Sequence, residues 1–146
     1  MSTELAKTVD QQALSQQLAE ITGTQQHVTT SLDLKTGDGR RQMIKCLQDC
    51  DARLTDQVNT VISIKDFLAH NVSIRMEADG EYIEAVRLVV IDANGTRYEC
   101  VSTGLLKSLG HLLFLYGDPP WEAPVKVTVR TKRNKERNIY WFEPVE

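Results

Sequence analysis

The sequence predicts a mainly β domain of five strands, with one helix between the third strand and the fourth. Asn94-Gly95 lies between two strand-like runs and is the strongest hairpin signal in the chain. Apolar residues then recur every three or four positions over residues 105–116, which is typical of a helix. Alternation with a period of two returns over residues 125–129. The predicted order is therefore β-β-β-α-β-β.

The first three strands follow one another through short turns. A long apolar-rich run, Val58 to Met76, predicts strand one, and Lys65-Asp66 in its middle predicts a bend or bulge. Strand two is predicted over Tyr82 to Asp92, after an Asp-Gly turn signal. Strand three returns from the Asn-Gly turn over Thr96 to Ser102.

The second half of the chain contains the helix and the last two strands. The helix must end before Pro119-Pro120, because two prolines cannot continue it. Strand four begins at Val125, and strand five is predicted over Asn138 to Glu143.

The N-terminal quarter differs in composition from the rest. Residues 1–32 are rich in Gln, Thr and Ser, lack aromatic residues, and are predicted to form a mobile polar arm with at most a marginal helix. Residues 33–146 are predicted to form the folded domain. A short amphipathic helix is expected between Asp38 and Ala52, before strand one, because apolar side chains recur there at helical spacing.

Composition excludes several classes of protein. The chain has 41% hydrophobic and 25% charged residues, which is an ordinary composition for a soluble protein. It contains no run of about 18 apolar residues, so no transmembrane helix is predicted. Its N-terminus lacks a secretory pattern, so we expect a cytoplasmic protein. Cys46, Cys50 and Cys100 are expected to be thiols, since three cysteines do not make a disulfide framework.

We expect no enzyme, no metal and no cofactor. Cys46 and Cys50 share a helical spacing, but no second ligand pair accompanies them as structural zinc usually requires. The sequence also lacks a nucleophile motif and a phosphate-binding glycine loop.

The strongest candidate for a site is the hairpin of strands four and five. Six of its residues are cationic and one, Glu136, is acidic, so the hairpin carries about +5 on a chain whose net charge is -3. Clustered Lys and Arg grip phosphate backbones, and unpaired bases stack on aromatic rings. The candidate phosphate contacts here are Lys126, Arg130, Lys132, Arg133, Lys135 and Arg137.

Further candidates lie around this hairpin. Tyr140 and Trp141 point to opposite faces of strand five, so one of them is expected to serve the core. Trp121 either stacks a base or caps the domain, and Tyr98 either stacks a base or joins the core. Arg87 and Arg97 on strands two and three are candidate phosphate contacts.

Two observations oppose this interpretation. Charged residues also protect edge strands against aggregation, although one or two charges suffice for that purpose. The stretch from Glu77 to Glu84, in the turn between strands one and two, is acidic and would repel phosphate. That turn must either point away from the bound strand or meet a basic patch of another subunit.

The strand order resembles the OB-fold, a five-stranded Greek-key barrel. In that fold the face of strands two and three, bordered by the loops between strands one and two and between strands four and five, commonly binds oligonucleotides. The basic tip, residues 132–137, falls in the second of these loops.

The sequence also resembles phage and mobile-element single-stranded DNA-binding proteins of the OB type. The resemblance covers Asp33 to Glu143. It rests on DLKTGDGRRQMIKCLQ (33–48), RLVVIDANGTRYECVSTG (87–104) and LYGDPPW (115–121), the last followed by the basic strand.

This resemblance implies a protein that coats exposed strands in replication or recombination, with tolerance of sequence. Single-stranded DNA is the expected partner, RNA remains an alternative, and replication proteins or further copies of the chain are additional expected partners. No membrane partner is expected, and the resemblance implies a location in the host cytoplasm if the protein is phage-encoded. The alternative function is a phage or mobile-element protein–protein interaction module that binds no nucleic acid.

Overall fold

The computed structural model describes residue 14, residues 16–18 and residues 28–145. Its elements are β1 (Val28–Thr30), α1 (Gly37–Gln48), β2 (Ala52–Arg53), a 3-10 turn (Leu54–Asp56), β3 (Val61–Arg75), β4 (Tyr82–Asp92), β5 (Arg97–Cys100), α2 (Thr103–Tyr116), β6 (Val125–Asn134) and β7 (Arg137–Pro144). Most of the predicted N-terminal arm lies outside the described residues, apart from helical positions 14 and 16–18. The last part of that segment contains β1, which pairs with β3.

The seven strands form one curled sheet in the order β2-β5-β4-β3-β6-β7, and β1 pairs with β3 off this path. The mainly β class is thus confirmed, and each of the five predicted strands has a counterpart among β3 to β7. The strand count differs from five because β1 and β2 were not predicted. They have three and two residues, too few for a period to appear in the sequence.

A bulge in β3 decides which side chains face the core. The pairing of β3 with β4 shifts register between Ile64 and Asp66, where the sequence predicted a bend. One extra residue reverses the alternation of side chains. Ile62 and Ile64 therefore face the main core before the bulge, and Phe67 faces it afterwards.

The sheet is apolar on both faces. The main core fills the concavity of the sheet and includes Val90 of β4, Val127 of β6, Phe142 of β7 and the buried leucines of α2. The opposite face, here called the outer face, buries a smaller cluster made of Cys46, Leu68, Val89 and Ile91.

Helix α1 covers the outer face of β3 and β4, and polar contacts at its C-terminal end reach β5. The Thr36 hydroxyl caps it by accepting a hydrogen bond from the amide of Gly39 at 3.0 Å. Gly39 has no side chain because a Cβ there would lie 1.8 Å from the carbonyl oxygen of Asp33. The helix then places Met43, Cys46 and Leu47 against the sheet.

Helix α2 packs along the edge of β7 that does not pair with β6. Ser102 caps its start, and it ends before Gly117, whose φ is +81°. Ser108 donates to the carbonyl oxygen of Phe142 at 3.2 Å and accepts from its amide at 2.8 Å. Because these are backbone groups of an edge strand, α2 substitutes there for a further strand.

Candidate nucleic-acid interface

The β6–β7 hairpin extends from the core into solvent. Val125, Val127 and Val129 are buried in β6, whereas residues 131–138 are exposed throughout. A two-residue turn closes the hairpin, since Asn134 pairs with Arg137. Lys135 in that turn has a φ of +57°, a conformation usually taken by glycine or asparagine.

Among the described residues, five of the six hairpin cations have no carboxylate partner. The sixth, Arg130, is engaged: its Nε lies 2.6 Å from Glu143 Oε2, and its Nη1 donates to Asn59 Oδ1 at 2.7 Å. The two other ion pairs in the described part of the chain do not involve the hairpin. The cations that form no ion pair with a described residue are Lys126, Lys132, Arg133, Lys135 and Arg137.

The register separates the two aromatic residues of β7. Tyr140 and Phe142 share a face, and Tyr140 packs against the main core. Trp141 lies on the outer face, directly across from Arg130. Lys132 also projects from this outer face, since it is two residues from Arg130 on the same strand. Trp141 therefore shares its face with Arg130 and Lys132, on the side of the hairpin away from the main core.

Trp121 and Tyr98 contribute to the domain itself. The Trp121 ring centroid lies 6.4 Å from that of Phe67, and its indole N–H donates to the carbonyl oxygen of Gly117 at 2.9 Å. This contact agrees with the capping alternative. Tyr98 is partly buried against the main core, which agrees with its core alternative.

Arg87 is held between the sheet and α1. Its guanidinium donates to Glu99 Oε2 at 2.7 Å, to the carbonyl oxygen of Cys46 at 2.9 Å and to Cys50 Sγ at 3.1 Å, and it lies 3.2 Å from His70 Nε2. Only 15% of the Arg87 side chain is exposed. These contacts use the donors that were expected to grip phosphate.

Arg97 is engaged in a similar way at the end of α1. Its Nε donates to the carbonyl oxygen of Asp49 at 2.7 Å, and its side chain is 14% exposed. The two arginines of strands two and three thus fasten α1 to the sheet, and α1 covers the face on which an OB-fold would bind its ligand.

Ionisation follows this packing. The hydrogen bond from Arg87 lowers the pKa of Glu99, which keeps that carboxylate charged. Burial raises the pKa of Cys50 to about 11 and lowers the pKa of His70, which also faces the positive charge of Arg87. The thiols and the imidazole of this cluster are therefore held neutral near neutral pH.

A groove of about 800 Å³ runs between α2 and the edge of β7. Its walls are formed by Ser102, Thr103, Gly104, Lys107, Ser108, His111, Leu112, Leu115 and by Arg137, Asn138, Ile139, Tyr140, Trp141, Phe142 and Pro144. Three of these fifteen described residues carry cationic or imidazole side chains and none is acidic. The groove is continuous with the basic hairpin through Arg137.

Sequence reasoning missed Lys107 and His111. The two are four residues apart, so they share one face of α2. A polar i, i+4 pair is ordinary on a solvated helix, and only the packing of α2 on β7 turns it into a wall of the groove.

The acidic turn lies far from the basic one. Val61 of β3 pairs with Thr128 of β6, and the two strands run antiparallel. From that pair, β6 continues six residues in one direction to Asn134, and β3 continues in the other direction to Arg75. The turn with Glu77, Asp79 and Glu81 therefore points away from the basic hairpin.

The described residues contain no group of three His, Cys, Asp or Glu side chains that could hold a metal ion. In the same part of the chain, no helix has both the length and the apolar content needed to cross a bilayer.

Comparison with known proteins identifies the family. A family model described as phage single-stranded DNA-binding protein matches residues 22–141, which is 120 of the 146 residues. No curated protein and no solved structure matches the chain. The matched region includes both helices, β1 to β6 and most of the basic hairpin. The chain therefore belongs to the phage single-stranded DNA-binding protein family.

Proposed function

We propose that this protein coats single-stranded DNA exposed during replication or recombination of a phage genome, without regard to sequence. The observation that carries the proposal is the charge of the β6–β7 hairpin. Five cations that have no carboxylate partner among the described residues are concentrated on one hairpin of a chain with net charge -3. Edge protection alone does not require so many.

The chemistry assigns a role to each kind of side chain. Lys126, Lys132, Arg133, Lys135 and Arg137 bind phosphates as point charges or forks. Trp141 offers a ring for stacking, which tolerates any base because every base has a π face. Arg130 remains paired with Glu143.

An OB-type barrel is the architecture that we propose for this function. The pairings β3–β4, β4–β5, β3–β6 and β6–β7 correspond to strands one with two, two with three, one with four, and four with five. The helix between β5 and β6 agrees with the same plan. The DNA path differs from the usual one, since α1 covers the outer face of β3 and β4, reaches β5 at its C-terminal end, and leaves the β6–β7 side for the strand.

A titration tests the proposal. Fluorescently labelled oligo-dT, a mixed-sequence strand and a duplex of equal length are each titrated with the protein at 50 and 200 mM salt. We expect both single strands to bind with similar affinity, more tightly than the duplex, and more weakly at 200 mM salt. If neither single strand binds at 50 mM salt, the proposal is refuted and a protein–protein interaction module is favoured.

A further inference from the structure

The groove between α2 and β7 offers a second element of the interface. We infer that it receives the bases of the strand whose phosphates lie on the β6–β7 hairpin, with Lys107 and His111 as the polar contacts on its α2 wall. This inference rests on the proposed function and extends it to residues on a helix that no sequence motif assigned.

The chemistry of the groove walls fits a nucleotide. Apolar and aromatic groups, Leu115, Ile139 and Trp141 among them, line it together with the cations Lys107 and Arg137. Bases need flat apolar surface, and the phosphates next to them need positive charge. A volume of about 800 Å³ lies within the range of small-ligand pockets.

The charge of the groove is selective. The chain contains 20 Asp and Glu residues against 17 Lys and Arg residues, yet none of the fifteen described residues lining the groove is acidic. A cationic peptide strand would not require this exclusion of acidic side chains. An anionic strand that stays close to the wall along the whole groove does.

The groove adjoins the tip of the basic hairpin. Arg137 and Asn138 belong both to the hairpin and to the groove, so a strand leaving the hairpin tip meets the groove next. Trp141 lines the same groove farther along β7. The more usual path over β4 and β5 is covered by α1, through the contacts of Arg87 and Arg97.

A matched pair of substitutions tests the inference. His111 and Phe114 are both exposed on α2, and only His111 lines the groove, whereas Phe114 is 93% exposed outside it. His111→Glu and Phe114→Glu each add one negative charge to the same helix. Circular dichroism checks that both variants fold.

The expected effects differ between the two variants. We expect His111→Glu to lower the affinity for oligo-dT about tenfold at 50 mM salt, the equivalent of about one lost phosphate contact, and Phe114→Glu to lower it less than twofold. Lys107→Ala should lower the affinity by a similar factor of about eight. A strand of abasic sites should bind the wild-type protein more weakly than oligo-dT, and His111→Glu should affect it less.

The outcomes separate this inference from the proposed function. If oligo-dT binds the wild type and both glutamate variants equally, the groove is not part of the path although the proposed function stands. If both variants lose affinity equally, the effect is one of general charge and the inference is again overturned. Failure of the wild type to bind at all refutes the proposed function itself.

Discussion

Removing the charge of the hairpin tip should weaken DNA binding by an amount that depends on salt. The relevant variant replaces Lys132, Arg133 and Arg137 by Ala and Lys135 by Gly. Glycine is chosen at 135 because the φ of +57° there suits it, so the turn is kept while the charge is removed. The four side chains are exposed and make no ion pair with a described residue, so the fold should be unaffected.

The magnitude follows from counterion release. Each phosphate contact on a single strand contributes about 0.7 to the slope of log K against log salt concentration. Relative to about 1 M salt, one contact therefore adds about 0.9 log unit of affinity at 50 mM salt and about 0.5 log unit at 200 mM salt. If all four cations contact phosphates, the variant loses about 3.6 log units of affinity at 50 mM and about 2 at 200 mM. The slope itself should become shallower by about 2.8.

Fluorescence anisotropy of labelled oligo-dT at four salt concentrations measures both quantities. The matched control removes four exposed cations from other parts of the described chain, namely Lys35, Arg41, Lys45 and Arg75, by substitution with Ala. We expect the control to keep most of its affinity and slope. Equal losses in the two variants would refute the localisation of binding to the hairpin, and no loss in the hairpin variant would mean that its charge only protects an edge.

Three further predictions concern the scaffold. Gly104→Ala should lower the free energy of unfolding by about 1–2 kcal/mol, because a Cβ there would lie 2.4 Å from the carbonyl oxygen of Tyr140. Gly110→Ala, at a position with open space around it, should raise the free energy of unfolding by up to about 1 kcal/mol. Equal melting temperatures for the two variants would contradict the packing of α2 on β7. Arg87→Met should lower the urea midpoint and reduce the free energy of unfolding by about 2–3 kcal/mol, because the acceptors on α1 and β5 lose their donor. DNA affinity should be unchanged. A selective loss of DNA binding would instead make Arg87 a phosphate contact. Burial raises the pKa of the Cys50 and Cys100 thiols from 9.0 to about 11. Because the unfolded chain loses these protons at lower pH than the folded chain, the free energy of unfolding should fall as pH rises from 9 to 11. Over that range the urea midpoint should fall less in a variant with Cys50→Ser and Cys100→Ala than in the wild type, and an equal fall would contradict the burial of these thiols.

The extent to which the sequence predicts this fold depends on how local each signal is. The bulge at Lys65-Asp66, the Asn94-Gly95 turn and the end of α2 are set by neighbouring residues, and all three appear where the sequence indicates them. Strands β1 and β2 depend on partners far along the chain, β3 for one and β5 for the other. A segment of two or three residues is too short to show the alternation that predicts a strand.

The site shows the same division. Alternation along β7 correctly indicates that Tyr140 and Trp141 face opposite ways, but only the register with β6 shows that Trp141 is on the face of Arg130. The engagement of Arg87 and Arg97 depends on where α1 packs, which no local pattern contains. The groove depends in turn on the approach of α2 to β7, which Gly104 permits.

The central claim is that the strand lies across the β6–β7 hairpin and Trp141, and the emission of the two tryptophans tests it most directly. A Trp121→Phe protein reports from Trp141 alone, and a Trp141→Phe protein reports from Trp121, which packs against Phe67. With saturating unlabelled oligo-dT, we predict strong quenching in the first protein, because a stacked base contacts the ring, and little change in the second. Quenching confined to Trp121, or equal and weak in both proteins, would contradict the claim.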